Sequence, residues 1–283
     1  GTETDSDDVE EAPAPVEPPK TEPPIVVGFT PVSPADYYGR TWLKGQPNGT
    51  ALVKAYDRIV TGITAMQAEI SLKDSSAPIS VEELKIVWNC YCADYPQHFW
   101  INSAYSYGYS GSEVISVSPQ YNLTPAQKQT YEERFEKAAE EMLKNLNGSM
   151  SQFDLEKAIH DRLVLACTYN NSSFCHTAYG ALVEHVAVCD GFARAFQYLC
   201  RAVGIETMLV AGESANPANG VPEGHAWNVV KIDGQHYHVD VTWDNAGEPS
   251  EKNVHYAYFN LTTAQIQKDH TIKQEGYTIP TCT

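Results

Sequence analysis

Leu52, Ala55, Tyr56, Ile59, Ile63 and Met66 recur at the three-and-four spacing of one helical face, which predicts a long amphipathic helix early in the chain. Phe192, Ala195, Phe196, Leu199, Cys200 and Val203 repeat the pattern over 189–203, with Gly204 where a left-handed cap closes a helix. A shorter helix over 81–90 follows Ser80, with Glu82 and Glu83 in its first turn. Thr124-Pro125 opens a charged helix that runs to about Asn147, where Asn147-Gly148 ends it. Two β-rich runs, 225–232 and 235–242, are separated by Asp233-Gly234 and predict a hairpin. Phe99-Trp100-Ile101 and Val114-Ile115-Ser116-Val117 predict two more strands, around an aromatic loop holding Tyr105, Tyr107 and Tyr109.

The helix over 189–203 begins at Cys189. A thiol there faces unpaired backbone N–H groups and the positive end of the helix dipole, both of which favour thiolate. The hairpin supplies partners. With Ile232 opposite Gln235, Trp227 falls opposite Asp240 and His225 opposite Thr242, so His225 and Asp240 are diagonal neighbours on one face. Diagonal Cβ atoms lie about 7–8 Å apart or less, within reach of a carboxylate–imidazole contact. A slip of one residue would put the two on opposite faces. A helix-leading thiol followed by a His and an Asp on successive strands is the layout of a Cys-His-Asp nucleophilic site.

These segments carry a family likeness. Cys189-Asp190-Gly191-Phe192-Ala193, then Gly204-Ile205, His225-Ala226-Trp227-Asn228 and Asp240-Val241-Thr242-Trp243-Asp244 resemble the core of the transglutaminase-like superfamily, in its bacterial extracellular branch. The likeness covers roughly 150–270, including Ala158-Ile159-His160-Asp161-Arg162-Leu163, Tyr258-Phe259-Asn260 and Asp269-His270, and Asp94 through Trp100 is familiar from the same branch. The resemblance implies an α+β, papain-like fold: a nucleophile helix packed on an antiparallel sheet, with an N-terminal, mainly helical region containing a small hairpin. It also implies roles, with Cys189 as nucleophile, His225 as general base and acid, and Asp240 orienting His225.

Plainer readings stand beside these. A cysteine on an apolar helix is commonly packing, and Cys200, on the inner stripe, is read that way. His225 and Asp240 taken singly would be ordinary strand residues; their shared face and flanking motifs weigh against that. His236 and His238 fall on the same predicted face as Asp240, but no second close ligand spacing supports a metal cluster. The expected chemistry calls for no metal or other cofactor. Trp227 is read as roofing or underpacking the site. The Cys189 N–H is the natural oxyanion donor; Tyr179 is a guess for a side-chain donor and stays outside the catalytic set.

The chain has 283 residues, 42% hydrophobic, with a formal charge of −17. That balance excludes a general nucleic-acid binder, since no basic stripe is present to neutralise phosphates. No apolar run is long enough to span a bilayer. Residues 1–24, dense in Pro, Asp and Glu, predict a disordered tether extending to about residue 29. The chain opens at Gly1 without Met or a signal-peptide core, which is read as a trimmed N-terminus, with a lipid anchor upstream as one expectation. Residues 30–147 are expected to pack on a catalytic core of 148–283. Seven cysteines leave parity undecided. Cys167 and Cys175 are the most plausible local disulfide, and either Cys90 or Cys92 could reach Cys282. Sequons at Asn48 and Asn122 carry weight only in a glycosylating pathway.

The expected activity is cysteine-dependent acyl transfer on a protein or peptide amide through a Cys189 thioester. Water as acceptor makes a peptidase or amidase, an amine makes a transglutaminase, and the triad does not distinguish them. A secreted or surface-tethered enzyme acting on peptide or isopeptide bonds, including those of cell-wall material, is the leading expectation. The alternative is a surface adhesion module on the same fold, for which the tyrosine loop offers a peptide- or glycan-binding face.

Overall fold

The computed structural model describes residues 16–250 and 252–283. Helix starts follow the side chains that cap them. After α1 (Tyr38–Lys44), α2 (Gly49–Thr64) and the two-residue β1 (Ile70–Ser71), Ser80 and Glu83 form a reciprocal capping box that opens α3 (Val81–Asp94). The strands β2 (Ile101–Ser110) and β3 (Glu113–Tyr121) follow, then Thr124 and Gln127 cap α4 (Pro125–Met142) in the same way. The predicted charged helix therefore stops short of Asn147; Leu143 closes it, and Asn145 takes a left-handed turn. Ser151 caps α5 (Gln152–Ala166), and a short parallel pair, β4 (Thr168–Tyr169) with β5 (Val186–Ala187), leads to α6 (Cys189–Ala202). As expected, α6 begins at Cys189 and Gly204 turns left-handed (φ 87°) just past its end.

The remaining elements are β6 (Thr207–Ala215), β7 (Pro222–Ile232), β8 (Gln235–Val239), α7 (Val241–Asp244), α8 (Thr263–Ile266) and β9 (His270–Ile272). They form an antiparallel sheet in the order β8-β7-β6-β9, with α6 packed on β6 and β7. The architecture is α+β, as the resemblance implied. Its second sheet, β1-β3-β2, is the expected hairpin extended by the short β1. Tyr105, Tyr107 and Tyr109 are not in a loop: they alternate along β2, an edge strand, with Trp88 against Tyr105.

Two further expectations are corrected. All seven cysteines are free thiols. Cys167 is buried and donates to the Ala181 carbonyl, while Cys90 and Cys282 are separately buried, so neither proposed bridge forms. The predicted tether divides: residues 1–15 lie outside the described residues, whereas 16–29 contact the body. Val16, Pro19, Glu22 and Ile25 are less exposed than the residues between them, a spacing of three that is the period of a polyproline II helix. Glu22 accepts from Gln97 at 2.7 Å, and Val32 N–H bonds the Arg201 carbonyl.

The last turn of α3 joins the N-terminal elements to α6. Helix C-termini leave carbonyls without intrahelical partners, and here three side chains of α6 satisfy them. Arg194 donates to Cys92 O (2.8 Å), Gln197 to Ala93 O (2.8 Å) and Arg201 to Asp94 O. The Asp94 carboxylate, fully buried, accepts from the Gly39 and Arg40 N–H groups (both 2.9 Å) and from Tyr56 Oη (2.7 Å). Burial pushes it up to about 6, although the Arg201 guanidinium opposes the rise. Replacing Asp94 by Ala leaves three buried donors unmet and Arg201 with Glu206 as its remaining carboxylate, so Asp94→Ala should lower unfolding free energy at pH 7 by about 3 kcal/mol in a urea titration; a loss under about 0.5 kcal/mol would show that this junction is structurally idle.

Candidate active site

The hairpin register is the predicted one. Ile232 pairs with Gln235 and Asn228 with Val239, the last pair before Asp240. The strand itself ends sooner than predicted. β8 stops at Val239, and Asp240 turns to cap α7, its Oδ1 accepting the Trp243 N–H at 3.1 Å. Thr242 therefore lies in the helix and does not pair with His225, whose strand neighbour is Gly212 on β6. The cap holds the carboxylate where Oδ2 meets His225 Nε2 at 2.7 Å. The Cys189 thiol, half-buried at the head of α6, is near enough to the same imidazole to help raise its pKa, and the imidazole nitrogen not bound to Asp240 is Nδ1. The three residues singled out from sequence, Cys189, His225 and Asp240, thus meet.

Electrostatics follow from burial and pairing. Burial pulls the His225 imidazole down, but the Asp240 carboxylate and then Cys189 outweigh it and raise it to about 10. Burial alone would push Asp240 up; His225 and His270 hold it below the usual carboxylate range. His270 is the partner that sequence reasoning did not place. Its Nε2 lies 2.7 Å from the same Asp240 Oδ2 and its Nδ1 2.6 Å from Asp269 Oδ1. Asp269-His270 was visible only as part of the family likeness. Its route to Asp240 is through β9, whose close approach to β6 the glycine at 212 permits, since a Cβ there would collide with the Thr271 carbonyl.

The other candidates fall into supporting places. Trp227 packs beneath the site: its ring stacks on His225, meets His270 edge-on and donates from Nε1 to His238 Nδ1 at 2.9 Å. His238 is buried and pulled down to about 4 by burial and by the His270 charge, so it serves as the indole's acceptor. Cys200 is fully buried, its thiol pushed up, as packing requires. Tyr179 is not aimed at the site. It is buried among Phe99, Tyr131 and Phe174.

Among the described residues, one trio of side chains could gather a metal ion: His225, Asp240 and His270, whose nearest donor atoms lie within 4.8 Å of one another. As placed, both nitrogens approach one oxygen at 2.7 Å, the spacing of hydrogen bonds. His236 and His238 take no part in that grouping.

Residues 137–241 match the family model of the Transglutaminase-like superfamily, a span that includes the thiol, the imidazole and the carboxylate. That stretch, a little over a third of the chain, is similar to the core of the superfamily. Kyphoscoliosis peptidase of Homo sapiens is 36% identical over 61 residues, covering 19% of this chain and 9% of that protein. The same protein of Mus musculus is 34% identical over the same shares. The chain thus spans about a tenth of the length of these curated relatives. A solved structure described as that of a TGase aligns at a TM-score of 0.37 with 17% identity, over 56% of this chain and 48% of its own.

Cys189 is the thiol beside the raised His225 imidazole, and this should set its reactivity apart from that of the other six. Near pH 6 a free thiol, with a pKa of about 8.5, is almost wholly protonated. Iodoacetamide at that pH should modify Cys189 first, and His225→Ala should slow its labelling about tenfold; peptide mapping that finds equal rates in the two proteins would refute the coupling.

Proposed function

We propose that the protein is a cysteine-dependent acyl-transfer enzyme acting on amide bonds of peptides or proteins. The supporting observation is the His225–Asp240 hydrogen bond with the Cys189 thiol beside the same imidazole, the three held on β7, the α7 cap and the head of α6. In the first step the Cys189 proton passes to His225, the sulfur bonds to the carbonyl carbon and the C=O electron pair moves onto oxygen. As the tetrahedral species collapses, the C–N bond breaks and the His225 proton passes to the departing nitrogen, leaving an acyl-thioester. An incoming water or amine then gives its proton to His225 and displaces the sulfur. The Cys189 N–H, at the head of α6, is the donor suited to the developing oxyanion.

Hydrolysis of a peptide or isopeptide is the reading we favour, with crosslinking to an amine as its sibling outcome. The same proposal places the enzyme at a bacterial cell surface, supported by the acidic Pro-rich segment 1–24 and the family likeness, with cell-wall peptide among its substrates. It takes 148–283 as the catalytic unit and 30–147 as an accompanying region. One observation favours a second role, as a binding module: Tyr107 and Tyr109 stand exposed in a row with Tyr105 and Trp88. Aromatic faces of this kind stack on sugars and apolar side chains.

Incubation with amide peptides and a primary-amine donor, read by mass spectrometry, should give a product that gains water or amine, and Cys189→Ala should abolish both. Turnover that survives Cys189→Ala would sink the assignment, while the binding role alone predicts no product from the wild-type protein. The acid form of His225 releases the amine, and its raised value keeps that form through neutrality. The rate should therefore fall as pH rises through about 10. Asp240→Asn removes the anion that holds the proton, so it should lower kcat roughly 10²–10⁴-fold and move the alkaline limb to lower pH.

A further inference from the structure

His270 lies behind Asp240, and its surroundings leave little freedom in how its nitrogens are used. Asp240 spends Oδ1 on the Trp243 N–H and receives both imidazoles on Oδ2. On the far side of His270, the Tyr258 hydroxyl donates to Asp269 Oδ2, which leaves Asp269 Oδ1 as the acceptor 2.6 Å from Nδ1. Each ring nitrogen of His270 therefore faces a carboxylate oxygen, and an ionised carboxylate can only accept. The ring is fully buried, closed in by Trp227, Trp243 and Tyr258.

We propose that His270 is a positioning residue of the site: held as an imidazolium between Asp240 and Asp269, it fixes the Asp240 carboxylate and divides that carboxylate's charge with His225. The proposal rests on the reading of Cys189, His225 and Asp240 as the reacting set. A sole imidazole on a buried carboxylate would take its whole attraction and give up its proton reluctantly. A second cation on the same oxygen weakens that hold, so that His225 can both keep its proton at neutral pH and pass it to the leaving nitrogen. The charged or titratable groups that face His270 are Asp240 at the β8–α7 junction, Asp269 before β9, His225 on β7, His238 on β8 and Tyr258. His238, occupied as the indole's acceptor, contributes no competing proton on that side.

The test uses the full chain. His270→Gln keeps an N–H to offer Asp240 but removes the charge. It should leave KM unchanged, lower kcat about tenfold and move the alkaline limb of the rate to higher pH, because His225 then takes Asp240's full attraction. His270→Ala should lower kcat further. Asp269→Asn, whose side chain is partly exposed, provides the same reading if His270 variants fail to fold; it leaves the imidazole in place, weakens its charged form and should move the limb in the same direction. In Cys189→Ala protein, ¹⁵N shifts of the His270 ring at pH 7 should show both nitrogens protonated. A neutral tautomer there, or an unmoved pH profile in both His270→Gln and Asp269→Asn, would overturn the proposal. Activity persisting in Cys189→Ala would instead overturn the underlying site, so the two failures are separable.

Discussion

A carboxylate with no access to solvent must be matched by donors on every side, and Asp240 sets that demand at the centre of this fold. The effective cost of burying such a charge is several kcal/mol, and it is offset only when geometry supplies hydrogen bonds to both oxygens. Here a backbone N–H and two imidazoles do so. Each donor imposes a local condition. β8 must end so that Asp240 can turn into α7, β7 must hold His225 in register, and β9 must come close enough to bring His270 behind. The glycine at 212 permits that last approach.

A second imidazole repeats the arrangement one turn later. His160, fully buried on α5, lies between Asp161 at 2.9 Å and Asp244 at 2.8 Å, and Asp244 closes α7 as Asp240 opens it. Burial draws His160 down, but the two carboxylates outweigh it and raise it. Tyr258 ties the ends together. Its N–H bonds Asp244, and its carbonyl accepts from the Asp240 N–H. A four-residue helix has little stability of its own; this one is held by a buried ion pair at each end.

Local rules carried the parts of this arrangement that are local. The two-residue turn at Asp233-Gly234 set the register, and with it the shared face of His225 and Asp240. Apolar periodicity and Gly204 bounded α6 and put Cys189 at its head. Errors arose where two local signals competed or where a contact came from far along the chain. Val241-Thr242-Trp243 are good strand residues, yet the capping bond from Asp240 turns them into helix. The tyrosines read as a loop because glycine and serine alternate with them, but pairing with β3 keeps them in a strand. The disulfide expectation rested on spacing alone, and Cys167 instead faces the Ala181 carbonyl. His270 sits thirty positions beyond Asp240, in a strand of three residues that no periodicity announces.

The side chains that cap α3 come from successive turns of α6, at positions 194, 197 and 201. Three donors spaced along one face against three consecutive carbonyls act as a key in a keyway: α6 can neither rotate about its axis nor slide along it without breaking all of them. The orientation of the Cys189 thiol is thereby set from about one to three helical turns away, by backbone atoms that lie roughly a hundred positions earlier in the sequence.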